Sequence, residues 1–306
     1  MPTIRPINWL KIGALGIIWG ASFMLVSVAL TGVGPLLLVA ARLTLGAIFL
    51  VSLAYARGVG IPPVRGPGAR MIWICALGMG LFTNAVPIFL LSWGQQFIAS
   101  GFAGVCMSMV PLFVLPLAHF LLPGERMSLR RSIGFTIGTI GVAVLIGPAA
   151  FADTGSEMET LARLACIAAA GCYAIGSIIT RVCPPVHMLS LSAAALSIAA
   201  LLFTPYALIN EPLPEQVPTL ALLALIYLGI LPTGVAQMLT VQVVRDAGPV
   251  FLTLVNYQVP LWSVILGTVV LAEPLPGGLL WALVLILGGL ALSQLGALKR
   301  LFSRKY

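Results

Sequence analysis

Ten apolar runs of roughly bilayer length, separated by short breaks, dominate this sequence: 9–29, 35–56, 70–92, 97–122, 129–147, 160–180, 187–209, 218–240, 248–271 and 277–298. A helix needs about 20 predominantly apolar residues to cross a hydrocarbon core. Only helices and closed barrels satisfy their own backbone there. The breaks fall at charged or Gly/Pro clusters such as 57–70, 123–131 and 210–218, where helices are expected to stop. The chain therefore reads as an all-α integral membrane protein of ten transmembrane helices, with no room for a sizeable soluble domain. Composition agrees: 60% of the 306 residues are hydrophobic and 8% are charged, against about 25% charged in a soluble domain. Too few charges are present to cover a globule in water. That excludes a soluble enzyme, a secreted disulfide scaffold and a disordered protein. The five cysteines, Cys75, Cys106, Cys166, Cys172 and Cys183, form no CxxC and sit in the apolar runs or at their ends. They read as small buried hydrophobes rather than as disulfide or metal ligands. The first run shows no clear small-residue cleavage site, so it is expected to be retained as a span.

Loop charges give an orientation. With the N-terminus in the cytoplasm, the inner segments hold all of the 16 basic residues except Arg163, which falls outside, and Arg42, which lies within a span. The outer loops hold Asp153, Glu157, Glu159, Glu211, Glu215 and Glu273. This is the positive-inside asymmetry, and losing any one span would invert every later loop. Both termini are accordingly expected in the cytoplasm of a bacterial-type plasma membrane. The same asymmetry accounts for the net charge of +8 without nucleic acid, since no basic helix or aromatic-interleaved basic strip is present.

The chain also repeats itself weakly. Pro111 stands 14 residues before Glu125, and Pro260 stands 13 before Glu273. Sixteen residues past each glutamate comes Gly141 or Gly289, each opening a small and apolar stretch. Residues 1–148 and 149–306 thus read as two units of five helices. An odd number of spans makes the second unit enter from the opposite face. Inverted repeats of this kind place a transport site near the midplane, between the halves.

The first half carries Gly16-Ile17-Ile18-Trp19-Gly20-Ala21-Ser22-Phe23, then Ala40-Ala41-Arg42-Leu43, Pro111, Glu125-Arg126 and a glycine-rich fifth run. The second half carries Pro260 and Ala272-Glu273-Pro274 at matching places. Over nearly its whole length the chain resembles the EamA-type branch of the drug/metabolite transporter superfamily. The resemblance implies ten helices in two inverted five-helix repeats and export of small metabolites, often amino acids. The second half departs from the pattern: Tyr173 stands where the first has Trp19, and Leu196 roughly where it has Arg42. The inward-pointing chemistry is therefore not symmetric.

Aromatic and polar residues at mid-span are the candidates for function. Trp9, Trp73, Trp93 and Trp281 sit near span ends, where interfacial belting explains them. Trp19, Tyr173, Tyr257 and Trp262 are mid-span, where an N–H or O–H must find a partner within the protein. Packing explains each ring separately; an aromatic-lined cavity explains them together. Gly16 and Gly20 make a GxxxG beside Trp19, which lets a neighbouring backbone approach closely. Ser22, Asn84, Ser108, Gln237 and Asn256 are the buried uncharged polar candidates, with interhelical hydrogen bonding as the alternative role. Pro260, Pro111 and Pro87 lack an N–H, so the carbonyls of Asn256, Met107 and Thr83 lose their helical donors,. Asn256 would then offer an amide and a freed carbonyl at one height, with Gln258 facing away on a regular helix.

Arg42 lies roughly 11 Å into the second span at 1.5 Å per residue and has no acidic neighbour in sequence. It reads as a structural or gating residue bonded to freed carbonyls, or as a partner for a substrate carboxylate. His119, near the end of the fourth run, reads as structural or as a protonation site. No Asp or Glu lies deep in any run. That removes the usual carboxylate proton relay and the usual counter-charge for a cation.

The expected function is therefore a transporter, not an enzyme, with a small-molecule substrate, no cofactor and no metal, working as a monomer in the bilayer by alternating access. Its aromatic and amide residues lean toward an aromatic or large neutral amino acid; a hydrophobic-drug exporter is the alternative. An intramembrane enzyme is the distant one. Asp153 and Asp246 fall in loops, and Ser108 and His119 are 11 residues apart on one run, or about 16 Å, too far for a hydrogen-bonded pair.

Overall fold

The computed structural model describes residues 5–97, 103, 106–123, 128–146, 158–271, 281–289 and 291–293. Among the described residues every regular element is helical. Helices α1 (Pro6–Leu30) and α2 (Pro35–Ala56) each start on a proline, whose missing N–H would have no helical partner there anyway. Then come α3 (Ala69–Gly94), α4 (Val110–Leu121) and α5 (Leu129–Ile146). Next are α6 (Glu159–Val182), α7 (Met188–Asn210) and α8 (Thr219–Ala247). A single turn, Pro249–Leu252, leads into α9 (Val255–Leu271), and α10 is Trp281–Ser293.

Six of these, α1, α2, α3, α6, α7 and α8, are long and apolar enough to cross a membrane. The fourth and tenth apolar runs appear as shorter apolar helices. Glu125, Asp153, Glu157 and Glu273, which figured in the charge and repeat arguments, lie outside the described residues.

The outside of the bundle is oily. Leu10, Phe120 and Ile209 are 70%, 81% and 83% exposed, which would be costly in water and is suited to lipid. Between helices, lipid supplies no hydrophobic drive, so close contact of small residues takes over. A Cβ at Gly80 would stand 2.7 Å from the carbonyl oxygen of Ala195 in α7, and one at Gly229 would stand 2.5 Å from Cβ of Leu45 in α2. Helix α2 also packs along α7. Helix α1 lies against α8 and α9, while α6 lies against α3 and α4. Thus α1 packs on two helices late in the chain, and α6 on two early in it.

The two ends of the bundle are fastened differently. At one end Lys11 pairs with Asp246 at 3.4 Å. There Arg181 donates to the carbonyl of Arg245 at 2.7 Å, and Arg245 donates to the carbonyls of Pro184 and Val186 at 3.0 and 3.1 Å. At the other end Glu211 accepts from the backbone N–H groups of Leu36 and Leu37 at 2.9 and 3.2 Å. It caps α2, whose own N-cap position is Gly34 and offers no side chain. Arg163, the basic residue left on the acidic side by the charge sorting, pairs with Glu159 one turn away.

Candidate functional site

Two wide turns set the geometry. Helix α3 opens into a π-helix over Gly80–Ala85, and α8 does so over Gly229–Val235. Pro87 follows the first and Pro232 lies within the second, so the carbonyls of Thr83 and Leu228 have no donor four residues on. In α8 the Thr233 hydroxyl donates to the Leu228 carbonyl at 2.7 Å. In α3 the Asn84 amide donates to the Met79 carbonyl at 3.1 Å. Both bonds reach back five residues, to the residue just before the glycine that opens the wide turn. Such π-turns inside α-helices recur at functional sites.

Between the two turns lies a cavity of about 110 Å³. It takes side chains from both halves. Of the residues singled out in sequence, Trp19, Ser22, Arg42, Asn84, Tyr173, Gln237 and Asn256 line it. The Trp19 indole N–H donates to the Pro232 carbonyl at 3.2 Å. The Ser22 hydroxyl donates within its own helix to the Trp19 carbonyl at 2.7 Å. Arg42 donates through Nε to Thr233 Oγ1 at 3.2 Å. Thr233 and Pro232, which organise this corner, carried no weight in the sequence reading, although Pro232 falls mid-run as Pro87 does.

Other candidates lie elsewhere. Tyr257 is buried between α9 and α5: its hydroxyl donates to the Phe135 carbonyl at 3.2 Å, and its ring stacks on Phe135 with centroids 5.9 Å apart. Gly138 leaves room for that ring, since a Cβ there would stand 3.1 Å from it. Trp262 and Gln258 lie over Gly16, where a Cβ would meet them at 3.2 and 3.0 Å. Gly16 of the GxxxG thus serves the α1–α9 contact. Ser108 is buried, with its carbonyl 3.4 Å from Thr139 Oγ1. His119 is exposed and meets Phe120 edge-on at 5.0 Å. Pro111 and Pro260 do not line the cavity, but Met107 and Asn256, four residues before each, do. Trp9 is partly buried, edge-on to Phe251 at 5.0 Å.

The cavity also holds residues that the sequence reading did not pick. Thr83 Oγ1, Gln95 Oε1 and Thr240 Oγ1, like Gln237 Nε2, are buried in its lining with no hydrogen-bond partner among the described residues. Leaving such an atom unpaired costs about 1–3 kcal/mol. Four in one cavity make sense where a polar molecule comes and goes. The available signal was adjacency: Thr83 precedes Asn84, and Thr240 stands one turn after Gln237. Among the described residues no acidic one lines the cavity, and no group of three potential metal ligands occurs.

The profile of the EamA-like transporter family matches residues 9–147 and again residues 160–295. The chain belongs to this family. It is similar to the aromatic amino acid exporter YddG of Ancylobacter novellus, 29% identical, with 93% of this chain and 96% of the relative covered. It is also similar to the uncharacterized inner membrane transporter YedA of Escherichia coli, 26% identical over 83% of this chain and 80% of the relative. A solved crystal structure 27% identical to it superposes with a TM-score of 0.79, covering 97% of this chain and 99% of the other. This EamA-family chain is thus a multi-pass membrane transporter for a small molecule.

Proposed function

We propose that this EamA-family transporter exports amino acids, aromatic or large neutral ones foremost, by alternating access through the cavity between its halves. Ten helices in two inverted five-helix units, both termini in the cytoplasm and a monomeric state complete the reading. The observation that carries it is the cavity itself: Trp19 and Tyr173 supply ring surface, Asn84, Gln237 and Asn256 supply amides, and no carboxylate is among its described lining residues. Its volume, about 110 Å³, is of the order of the ~150 Å³ cavity that holds one benzene. That suits one side-chain ring better than a multi-ring drug. The double match of the family profile and the crossed packing of α1 and α6 support the two-unit reading. The name of the Ancylobacter relative supports the substrate class. With no carboxylate among the cavity's described lining residues, transport runs on the substrate's own gradient.

The test is uptake by purified protein in liposomes of phenylalanine, tryptophan, threonine, cysteine and a cationic dye, with and without a pH gradient. Uptake of phenylalanine and tryptophan that exceeds threonine, with no need for the pH gradient, is expected. Uptake of the dye alone would replace this reading with that of a drug exporter.

A further inference from the structure

We infer that Arg42 is the carboxylate anchor of this cavity, receiving the substrate's carboxylate on its two terminal guanidinium nitrogens while Thr233 holds its Nε. The inference rests on the amino-acid reading and gives it a chemical handle.

Three observations carry it. First, Arg42 is 7% exposed, deep in α2, and lines the cavity. Second, it meets no acidic residue there, and Nε to Thr233 Oγ1 is the hydrogen bond it makes among the described residues. A lock between helices would spend the guanidinium on backbone carbonyls, and no carbonyl among the described residues receives it. Third, its orientation is fixed in advance. The single Thr233 hydroxyl proton goes to the Leu228 carbonyl at 2.7 Å, so Thr233 meets Arg42 only as an acceptor. With Nε occupied, the two Nη groups are left as a planar fork, the geometry that takes a carboxylate through two parallel hydrogen bonds. A buried cation without a counter-charge is unfavourable in a bilayer; a bound carboxylate removes that penalty. The substrate class is therefore carboxylates, zwitterionic or monoanionic. Amines and amides of the same side chain are poor substrates, and cations are repelled.

Binding to the purified full-length protein, read by thermal shift and by counterflow in liposomes, separates the cases. The probes are L-phenylalanine, 3-phenylpropionate, L-phenylalaninamide and phenethylamine. In the wild type the two carboxylates bind roughly 10- to 150-fold more tightly than the other two, the range for a hydrogen bond to a charged group. Comparing the first two tells whether the ammonium adds affinity. Arg42→Gln lowers phenylalanine affinity by that factor and leaves phenylalaninamide unchanged; Arg42→Lys retains part of the preference. Arg42→Gln is expected to fold, because Thr233 keeps its bond to Leu228. If it does not fold, the order of the four probes on the wild type decides alone. A wild type that takes the amide as well as the acid overturns the anchor, as does an Arg42→Gln protein that keeps the acid-over-amide preference. A wild type that takes none of the four overturns the amino-acid reading and the anchor with it.

Discussion

The indole N–H of Trp19 donates to the carbonyl of Pro232 at 3.2 Å, tying the middle of α1 to the wide turn of α8 across 213 residues of sequence. The bond does two things at once. It satisfies a polar group that hydrocarbon would leave bare, and it turns the ring to form a wall of the cavity.

Trp19→Phe keeps the wall and loses the bond. Its cost to stability is expected to be about 0.5–1.5 kcal/mol, seen as a small drop in the unfolding temperature in detergent. Trp19→Ala removes the wall as well, and transport of tryptophan should fall more than that of threonine. Trp281→Ala, at a site 73% exposed, should change neither. Equal loss for both substrates with Trp19→Ala would assign the ring to packing.

Asn256 makes no side-chain hydrogen bond within the protein among the described residues, and it lines the cavity. Asn256→Ala should therefore leave the unfolding temperature nearly unchanged and weaken substrate binding by about 1–3 kcal/mol. Affinity from counterflow competition checks this. Wild-type affinity in a folded Asn256→Ala protein would remove Asn256 from the site.

Glu211 is the borrowed cap of α2. Glu211→Gln loses the anionic character at a helix N-terminus, and Glu211→Ala also strands two N–H groups near water. The expected losses are about 0.3–1 kcal/mol for Gln and about 0.5–2 kcal/mol for Ala, in that order, by thermal unfolding. The reverse order would mean that the cap contributes nothing.

Much of this architecture was legible because the bilayer allows few alternatives. Apolar runs of the right length must be helices, and Trp19, Asn84, Gln237 and Asn256 stood out because polar groups at mid-span are costly. What could not be read was which way each side chain points. Tyr257 and Asn256 are neighbours in sequence, yet one is stacked on Phe135 and the other lines the cavity. One residue along a helix is about 100° around its axis. The π-turns were also hidden. Pro87 and Pro232 announce lost backbone bonds but not that the helix will widen rather than kink. That widening is what lets Thr233 bridge Leu228 and Arg42.

Orientation is checked with single cysteines placed in exposed loops. Glu215→Cys, in the segment between α7 and α8, should react with a membrane-impermeant thiol reagent added to intact cells. Arg65→Cys, between α2 and α3, should react only after the membrane is opened. The opposite pattern would put the termini outside.

The most direct test of the account is two-sided access to the cavity. Ser177 lines it from α6. In a chain whose five native cysteines have been replaced, Ser177→Cys is reconstituted in liposomes and exposed to an impermeant thiol reagent from one side or the other. Labelling from both sides, slowed from both by phenylalanine, is the expected result. Labelling from one side only, or labelling that phenylalanine leaves untouched, would contradict a single alternating cavity that binds the cargo.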